Sequence, residues 1–306
     1  MRQKRSSACW QGKTGRKPRV PNYGSSLLNR FPTPPVHPET KKLPSRRRIF
    51  IIRLMKWKLL LSVSLSVTCL SAVDPATREK ELAYLRCLIP ETLQPYAHLE
   101  VPGIENIRID GEGTDQHLAL RVFPGQKKRN GGTRAEVSVD YPFKSGDTVR
   151  YSWKFMIPPD FKSDAPKNRW CLIGQWHDQP DETRGETWDN FPSRSPTVLI
   201  GLGELDGKPA IGINYGLDQS QQFGPVFIEP GKWHSLAVVI QWSQQEDGNA
   251  TFYFDDMTKP VTTITGANMH NDYQHFLKLG MYRHPEIATD NWIHLDSVEI
   301  SHETNR

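Results

Sequence analysis

The sequence has 306 residues, enough for one large domain or two small ones, and a formal net charge of +5. This charge is unevenly distributed, because residues 1–72 contain 16 of the 39 Lys and Arg residues but only one of the 34 Asp and Glu residues. Residues 73–306 therefore carry 23 basic and 33 acidic side chains, a net charge near −10. A nucleic-acid-binding domain carries a positive field on its folded surface, so this acidic main body argues against a nucleic-acid partner.

The first 72 residues divide into two parts. Residues 1–54 are rich in Arg, Lys, Pro, Ser and Asn without apolar periodicity, which predicts a disordered basic extension. Residues 55–72 have the layout of a signal peptide: a basic start at Met55, an apolar run at 59–70 and small residues near a cleavage point. This run is too short to span a bilayer, so we expect no stable membrane insertion. Our hypothesis is that translation starts at Met55 and that the product is secreted or periplasmic.

The next segment predicts one short helix at residues 75–88, since Leu82, Leu85 and Leu88 share one stripe at helical spacing. Pro90 ends it, because proline cannot continue a helix. Of the four cysteines, only Cys87 and Cys171 lie in the predicted mature domain. Export permits a disulfide between them, and two buried free thiols are the alternative.

Nearly all of the remaining sequence is typical of β-strands. The segments are short, rich in β-branched or aromatic residues, and separated by Gly, Pro, Asn and Asp. Without a linker or a repeat, they predict a single domain at 73–306 with an all-β fold, a β-jelly-roll sandwich of concanavalin-like type with a short N-terminal helix. The predicted strands are 117–123, 133–141, 148–157, 169–177, 197–203, 209–215, 233–242, 250–255, 261–265, 275–282 and 292–300.

Three of these strands alternate polar and apolar residues in an unusual way. Side chains alternate across a strand, so each of the three has one apolar face for the core and one polar face. A solvated outer face is the simple explanation, but such faces favour Lys, Glu, Thr and Ser. The polar residues are Arg134, Glu136 and Ser138, then Gln175 and His177, then Lys278 and Tyr282, and they alternate with Ala135, Val137, Val139, Leu172, Trp176, Leu277, Leu279 and Met281.

These three segments resemble the R-x-E, Q-x-H and Y-x-K-x-G-x-Y strands of the jelly-roll polysaccharide lyases. The matching residues are 134–137, 175–177 and 276–282, and the resemblance spans roughly residues 100–301. That group includes the alginate lyases, the glucuronan lyases and the heparin lyase I family. The sequence departs from it at Phe276, which replaces the first Tyr, and at His284, where alginate lyases often have Gln. Both departures argue against alginate as the substrate.

The resemblance implies cleavage of a uronic-acid polysaccharide by β-elimination. The reaction removes the proton at C5 of the sugar, next to its carboxylate, and expels the oxygen on C4. Gln175 and Arg134 would neutralise the carboxylate and stabilise the developing charge. Tyr282 would be the acid, and also the base in a syn-elimination, whereas His177 would be the base in an anti-elimination or would help to hold the carboxylate. A tyrosine base at neutral pH needs a positive field, which Arg134, Lys278 or Arg283 could supply.

Further residues are candidates for binding the substrate. Glu136 could orient Arg134 through a bidentate pair, and Lys278 and Arg283 would add positive charge. The long polar segment 178–195 directly follows His177, so Trp188 and Arg194 could contact sugar there. Its carboxylates could bind Ca²⁺, although solvated loop acids are the simpler interpretation. No spacing typical of a zinc site is present, and we expect no resident metal or other cofactor. The acidic residues in question are Asp178, Asp181, Glu182, Glu186 and Asp189.

Three other functions remain open at this stage. A carbohydrate-binding module or lectin on the same sandwich needs aromatic platforms but no proton-transfer pair. A sandwich glycoside hydrolase needs two carboxylates about 5 Å apart if it retains configuration, and the E-x-D-x-E signature of laminarinase-like enzymes is absent from the sequence. A structural or adhesion domain is the third. For the lyase we expect a monomer acting on an anionic polysaccharide.

Overall fold

The computed structural model describes residues 74–303. The predicted extension at 1–54, the signal peptide at 55–72, Cys9 and Cys69 lie outside these residues. The described chain begins with one helix, α1 (Pro75–Leu85), whose first turn is capped by Asp74 accepting a hydrogen bond from the Thr77 amide at 3.0 Å. The helix ends three residues earlier than predicted, and it buries Leu85 completely against the sandwich. Four 3₁₀ turns follow along the chain, at Glu91–Tyr96, Ile104–Asn106, Gly113–Asp115 and Glu182–Arg184.

Fourteen antiparallel strands form the rest of the described domain and pack as two seven-stranded sheets. The first sheet has the order β1-β4-β13-β6-β7-β8-β9. Its strands are β1 (Ala97–Glu100), β4 (Thr133–Val139), β6 (Cys171–His177), β7 (Val198–Leu205), β8 (Lys208–Tyr215), β9 (Gln221–Phe227) and β13 (Phe276–Arg283).

The second sheet has the order β12-β11-β10-β5-β14-β3-β2. In both sheets the central pairs join strands that are distant in the sequence, such as β4 with β13 and β5 with β14, as in a jelly roll. The predicted all-β sandwich with a short N-terminal helix is therefore confirmed. The strands of this sheet are β2 (Ile107–Asp110), β3 (His117–Val122), β5 (Thr148–Met156), β10 (His234–Gln241), β11 (Asn249–Phe254), β12 (Pro260–Thr265) and β14 (Asn291–His302).

One continuous apolar core fills the space between the sheets. Alternate residues of each strand point inward, and the predicted inward faces of β4 and β13 are confirmed, since Ala135, Val137 and Leu279 are fully buried in it. Large aromatic side chains from both sheets meet at its centre. Trp176 of β6 lies edge-on to Tyr151 of β5, with ring centroids 5.3 Å apart. Burying such large apolar surface is the main source of the sandwich's stability.

All eleven predicted strands exist within about two residues of their predicted limits, and three further strands were missed. The missed strands are β1, β2 and β9, and each lies at the edge of a sheet. Among residues 74–303, no helix is long and apolar enough to cross a membrane. Cys87 and Cys171 are both free thiols, which resolves the open alternative against a disulfide.

Candidate active site

A cavity of about 660 Å³ lies on the outer face of the first sheet. We call it the cleft. Strands β1, β4, β6 and β13 form its floor, and the segment 188–196 forms one wall. Cavities of this size hold ligands as large as a short oligosaccharide. Eight of the nine predicted site residues line the cleft or are bonded to residues that do; besides Trp188 they are Arg134, Glu136, Gln175, His177, Arg194, Lys278 and Tyr282. Trp188 lines it as well, whereas Arg283 does not.

The pairing of strands fixes the order of these side chains along the cleft. Tyr282 of β13 pairs with Arg134 of β4. Lys278 pairs with Gln175 of β6, and His177 pairs with Phe276. Tyr282 and His177 thus share one face but lie at different ends, because Tyr282 pairs with Leu172, five residues before His177 on β6. Five residues of strand span about 16 Å, so a single sugar fits between the two only where both side chains lean inward.

A β-bulge in β13 and β6 sets the direction of Tyr282. The register of this pair shifts between Leu279 and Tyr282. Gly280 has a φ of +141° there, and a Cβ on it would lie 2.3 Å from the carbonyl oxygen of Ala135. Only glycine fits such a position, and a bulge re-aims the side chains that follow it. The shift also corrects one prediction: Leu172 packs on the cleft side against Tyr282, not in the core, because the alternation of β6 is interrupted.

Arg134 and Tyr282 form a stacked pair at one end of the cleft. The guanidinium carbon of Arg134 lies 4.0 Å from the centre of the Tyr282 ring, a close cation–π contact. Trp170 packs edge-on against the same ring, with centroids 4.8 Å apart. Gly132 leaves the space for this pair, because a Cβ there would come within 2.7 Å of both side chains. The ring of Tyr282 is therefore in contact with both Arg134 and Trp170.

Glu136 connects Arg134 to Gln175. One carboxylate oxygen accepts a hydrogen bond from Nη1 of Arg134 at 3.2 Å, and the other accepts from Nε2 of Gln175 at 2.6 Å. Glu136 is 2 % exposed, so it acts as a support beneath the cleft. The predicted bidentate pair with Arg134 is wrong, since the second oxygen of Glu136 bonds to the amide instead. This bridge fixes the amide and the guanidinium relative to each other.

The positive charges of the cleft floor are balanced by buried carboxylates. Nζ of Lys278 lies 2.7 Å from Oε1 of Glu100, and Nη1 of Arg134 lies 3.4 Å from Oε2 of the same residue. Lys278 is almost fully buried, as Arg134 is, and its ammonium is paired with Glu100. Burial alone would raise the pKa of Glu100, but the charge and hydrogen bond of Lys278, with Arg134, lower it. The floor formed by these residues therefore lacks the strong positive charge expected of a cleft that binds a polyanion.

Burial shifts the pKa values of two groups in the cleft upward. Burial raises the pKa of Tyr282 above its ordinary value, and the nearby charge of Arg134 opposes this only in part. Burial also raises the pKa of Glu136, against the opposing effects of Arg134 and Lys278. A phenol with a raised pKa is a proton donor at neutral pH. The phenol of Tyr282 is therefore in its protonated form at neutral pH.

His177 lies at the other end of the cleft under the segment 188–196. Its Nδ1 is 2.7 Å from the carbonyl oxygen of Asp178, and its Nε2 is 3.1 Å from the carbonyl oxygen of Arg194. Both ring nitrogens thus face acceptor oxygens, and neither presents a lone pair to the cleft. His177 can act as a base only when the carbonyl of Arg194 moves away.

Asp178 holds that wall in place. It is fully buried, and one of its oxygens accepts a hydrogen bond from Nη1 of Arg194 at 2.8 Å while the other lies 3.0 Å from Nδ1 of His177. Burial alone would raise its pKa, but the hydrogen bond and charge of His177, with His275 and Arg194, lower it to about 2. The side chain of Arg194, which was predicted to contact sugar, is therefore already paired with Asp178.

Aromatic residues complete the wall. Trp188 is 64 % exposed and lies edge-on to Phe191 and to Phe276, with centroids 5.9 and 6.3 Å apart. An exposed indole beside a polar cleft is suited to stacking on a sugar ring. The structure brings Trp188 and His177 to the same end of the cleft, since Phe276 also stacks on His177.

Arg283 is the one predicted site residue that the structure places elsewhere. It follows Tyr282 on the strand and points to the opposite side, where it is 1 % exposed and donates to Asn291 and Thr289. The prediction that Arg283 binds substrate is therefore corrected, since Arg283 does not line the cleft. Neighbouring residues on a strand point to opposite faces. A sequence argument that places Tyr282 in the cleft therefore also places Arg283 outside it.

Sequence reasoning missed His98 and Asn130, which also line the cleft. His98 lies on the short edge strand β1, opposite Ser138, and its ring Nε2 is 3.9 Å from Oε1 of Glu100. The alternation His98-Leu99-Glu100 is a signal for this strand, but three residues are too few to distinguish it from a loop. The acids proposed for Ca²⁺ in the segment 178–195 do not converge, since no three of them in the described chain come close enough to share an ion.

Together, the antiparallel sandwich and a cleft floored by Arg, Gln, His and Tyr define a jelly-roll enzyme of the carbohydrate-cleaving class. The chain belongs to the polysaccharide lyase family, because the sequence model of that family matches residues 92–299. It is thus a polysaccharide lyase. A search of curated proteins by sequence found no match.

Several solved structures are similar in fold. The endo-β-1,4-glucuronan lyase of the fungus Trichoderma reesei is 15% identical, with a TM-score of 0.48 over 63% of this chain and 85% of that one. The alginate lyase of Klebsiella pneumoniae is 10% identical, with a TM-score of 0.45 over 63% and 84% of the two chains. The alginate lyase AlyA1 of Zobellia galactanivorans is 12% identical, with a TM-score of 0.44 over 66% and 83% of the two chains. At this distance the likeness concerns the fold alone.

Proposed function

We propose that this polysaccharide lyase is secreted and cleaves a uronic-acid-containing polysaccharide by β-elimination. The observation that carries the proposal is the pair of Tyr282 and Arg134, joined through Glu136 to Gln175 on the floor of one cleft. An acid, a cation and an amide donor are what the elimination requires at the leaving oxygen and at the sugar carboxylate. The proposed scheme uses side chains alone and assigns no step to a metal.

In the proposed reaction, Arg134 and Gln175 bind the uronate carboxylate, which makes the C5 proton more acidic. A base takes that proton, the C4–O4 bond breaks, and a double bond forms between C4 and C5. Tyr282 gives its proton to the departing oxygen. We assign the base to His177 on two conditions. Its ring and that of Tyr282 must lean toward each other across the roughly 16 Å of strand between them, and substrate must displace the carbonyl of Arg194 from Nε2, which lies 3.1 Å away in the free protein.

A glycoside hydrolase would need two carboxylates that reach the sugar. Glu100 and Glu136 both contact Nη1 of Arg134, and their pKa values are shifted in opposite directions, as in many hydrolases. However, each is almost fully buried and bonded to neighbouring side chains. We therefore assign both to support of the cationic groups.

The test is a screen of glucuronan, alginate and heparin-like chains for the ultraviolet absorbance of the unsaturated product. We expect absorbance with at least one of these uronans, and Tyr282→Phe should lower kcat by about 100-fold or more, since it removes the acid but keeps the ring. New reducing ends without absorbance would indicate hydrolysis. Turnover of Tyr282→Phe near that of the unmodified enzyme would contradict the role given to the phenol.

A further inference from the structure

A cluster of two imidazoles and a carboxylate lies far from the cleft, on the outer face of the second sheet. Asp110 ends β2, His117 begins the neighbouring strand β3, and His294 lies on β14. Leu118 and Leu295, the residues that follow the two histidines, are fully buried in the core, so both rings point outward. The cleft is on the other sheet, beyond the thickness of the sandwich, about 10 Å.

The three side chains offer ligand atoms at the spacing of a metal site. Nε2 of His117 lies 3.0 Å from Nδ1 of His294, and Oδ2 of Asp110 lies 3.6 Å from the same nitrogen. All three atoms fall within 4.8 Å of one another. A tetrahedral zinc ion with ligand bonds of 2.0–2.2 Å separates its ligand atoms by about 3.3 Å. Small rotations of side chains are therefore sufficient to bring them to that geometry.

The hydrogen bonding of His117 leaves one of its ring nitrogens available to bind a metal ion. Its Nδ1 lies 3.0 Å from the carbonyl oxygen of Asp115, which it can satisfy only as a donor. In a neutral ring this leaves a lone pair on Nε2, the atom that faces His294. A metal-bound histidine commonly donates its other N–H to a backbone carbonyl in this way. Gly111 keeps that carbonyl close to the hairpin, because a Cβ on it would lie 2.3 Å from the oxygen of Asp115.

Asp110 is also oriented from outside the cluster. Nε of Arg108 donates to both of its carboxylate oxygens, at 2.7 and 3.0 Å, and the guanidinium stacks on Trp292 at 3.8 Å. Each carboxylate oxygen has further lone pairs, so this bond leaves capacity for a metal ion. Asp110 and His117 are partly exposed, which allows an ion to enter and a water molecule to occupy a fourth position.

We propose that Asp110, His117 and His294 bind a divalent transition-metal ion, with zinc as the expected ion. Imidazole and carboxylate ligands suit Zn²⁺, whereas Ca²⁺ prefers oxygen ligands alone. The ion would join the edge hairpin of β2 and β3 to β14, strands that lie next to one another in the second sheet. The site stabilises this edge of the sandwich and takes no part in the elimination. No local motif indicates it, because His294 is 177 residues from His117.

The experiment is calorimetric titration of the full chain, without a histidine tag, with ZnCl₂, together with its melting temperature. We expect Asp110→Asn and His117→Gln each to remove one equivalent of zinc or weaken it at least tenfold, and to abolish the rise in melting temperature that zinc produces. His302→Gln is the matched control, because His302 is a partly exposed histidine on the same strand as His294, and it should bind like the unmodified chain. CaCl₂ should produce no such rise.

Two results would overturn the site. One is that the unmodified chain shows no zinc-dependent stabilisation. The other is that Asp110→Asn and His117→Gln bind zinc as the unmodified chain does, which would assign the ion to other residues. Melting temperatures measured in EDTA establish that both variants fold. A loss of zinc binding can then be attributed to the substituted ligand and not to unfolding.

Discussion

Tyr282 illustrates how one residue acquires its chemistry from its surroundings. Its phenol is confined by Arg134 and Trp170, and burial raises its pKa above the ordinary value near 10. The protonated form therefore persists throughout the neutral range. A residue must be protonated to donate a proton, whereas a base must be deprotonated.

The pH dependence of kcat tests this assignment. A group with a raised pKa stays protonated until the pH exceeds its ordinary value, so an acidic Tyr282 gives no loss of kcat below about pH 10. If Tyr282 were the base, kcat would instead rise with pH through the whole range up to that value. The pH profile of kcat is measured for Tyr282→Phe and for the unmodified enzyme. A pH-dependent change in kcat that is present only in the unmodified enzyme is assigned to ionisation of the Tyr282 phenol.

Gly132 is a positioning residue that contacts no substrate. A Cβ at this position would meet Arg134 and Tyr282 at 2.7 Å, so Gly132→Ala must displace one of them. We expect kcat to fall about 10- to 100-fold, because small displacements of reacting groups have effects of this size. Gly174→Ala is the control, since its Cβ would meet nothing closer than 3.4 Å. Equal activity of the two variants would show that the stacked pair tolerates movement.

At the scale of elements, the wall of the cleft is fixed by a buried ion pair. Asp178 holds Arg194 and lies beside His177, and its pKa is lowered from 3.8 to about 2. A lowered pKa stabilises the folded state above the unfolded pKa, and this contribution disappears as the pH falls through the folded value. The relevant window is therefore from about pH 4 down to about pH 2.

Asp178→Asn tests that window. From its pKa shift, the carboxylate contributes about 2 kcal/mol to the free energy of unfolding at pH 7. We expect the difference in unfolding free energy between the unmodified enzyme and Asp178→Asn to shrink between pH 4 and pH 2. Asp272→Asn, at a largely exposed aspartate, is the control and should leave the profile unchanged. A difference that is constant with pH would mean that the charge of Asp178 is not the source of the stability.

Elements also differ in how readily the sequence reveals them. Central strands such as β4 and β13 alternate apolar and polar residues over seven or more positions, so pattern alone located them. The edge strands β1 and β2 have four residues each, and β9 contains Gly224 and Pro225. A proline removes a ladder hydrogen bond and is tolerated mainly at edges, which makes such a strand resemble a loop. His98 was missed because its strand was missed.

At the scale of the whole molecule, charge sets the approach of the substrate. Residues 73–306 carry a net charge near −10, and residues 1–72 carry near +15. The cations on the cleft floor are paired with carboxylates, so long-range attraction of a polyanion must come from elsewhere. Salt screens exposed charges much more than buried ones.

The salt dependence of KM for a uronan should therefore depend on where the chain begins. For a chain starting near residue 73, KM should fall by about twofold or more between roughly 0.02 and 0.2 M NaCl, because screening weakens the repulsion between two anions. For the chain starting at Met1, KM should rise over the same range, since the basic extension attracts the polymer. Steady-state kinetics of the two chains provide the comparison, and an identical response would mean that local contacts alone control binding.

The sequence by itself determined the sandwich, most of its strands and the polar face that carries Arg134, Gln175 and Tyr282. These follow from alternation along a strand, which is a local property. The tertiary structure decided what alternation cannot express: the bulge at Gly280, the bridge of Glu136 to Gln175, the paired states of Lys278 and His177, and the burial of Arg283. It also decided the cluster of Asp110, His117 and His294. The physical reason is that hydrogen bonds, burial and pKa shifts depend on which distant strands become neighbours, and that pairing is set by the packing of the whole core.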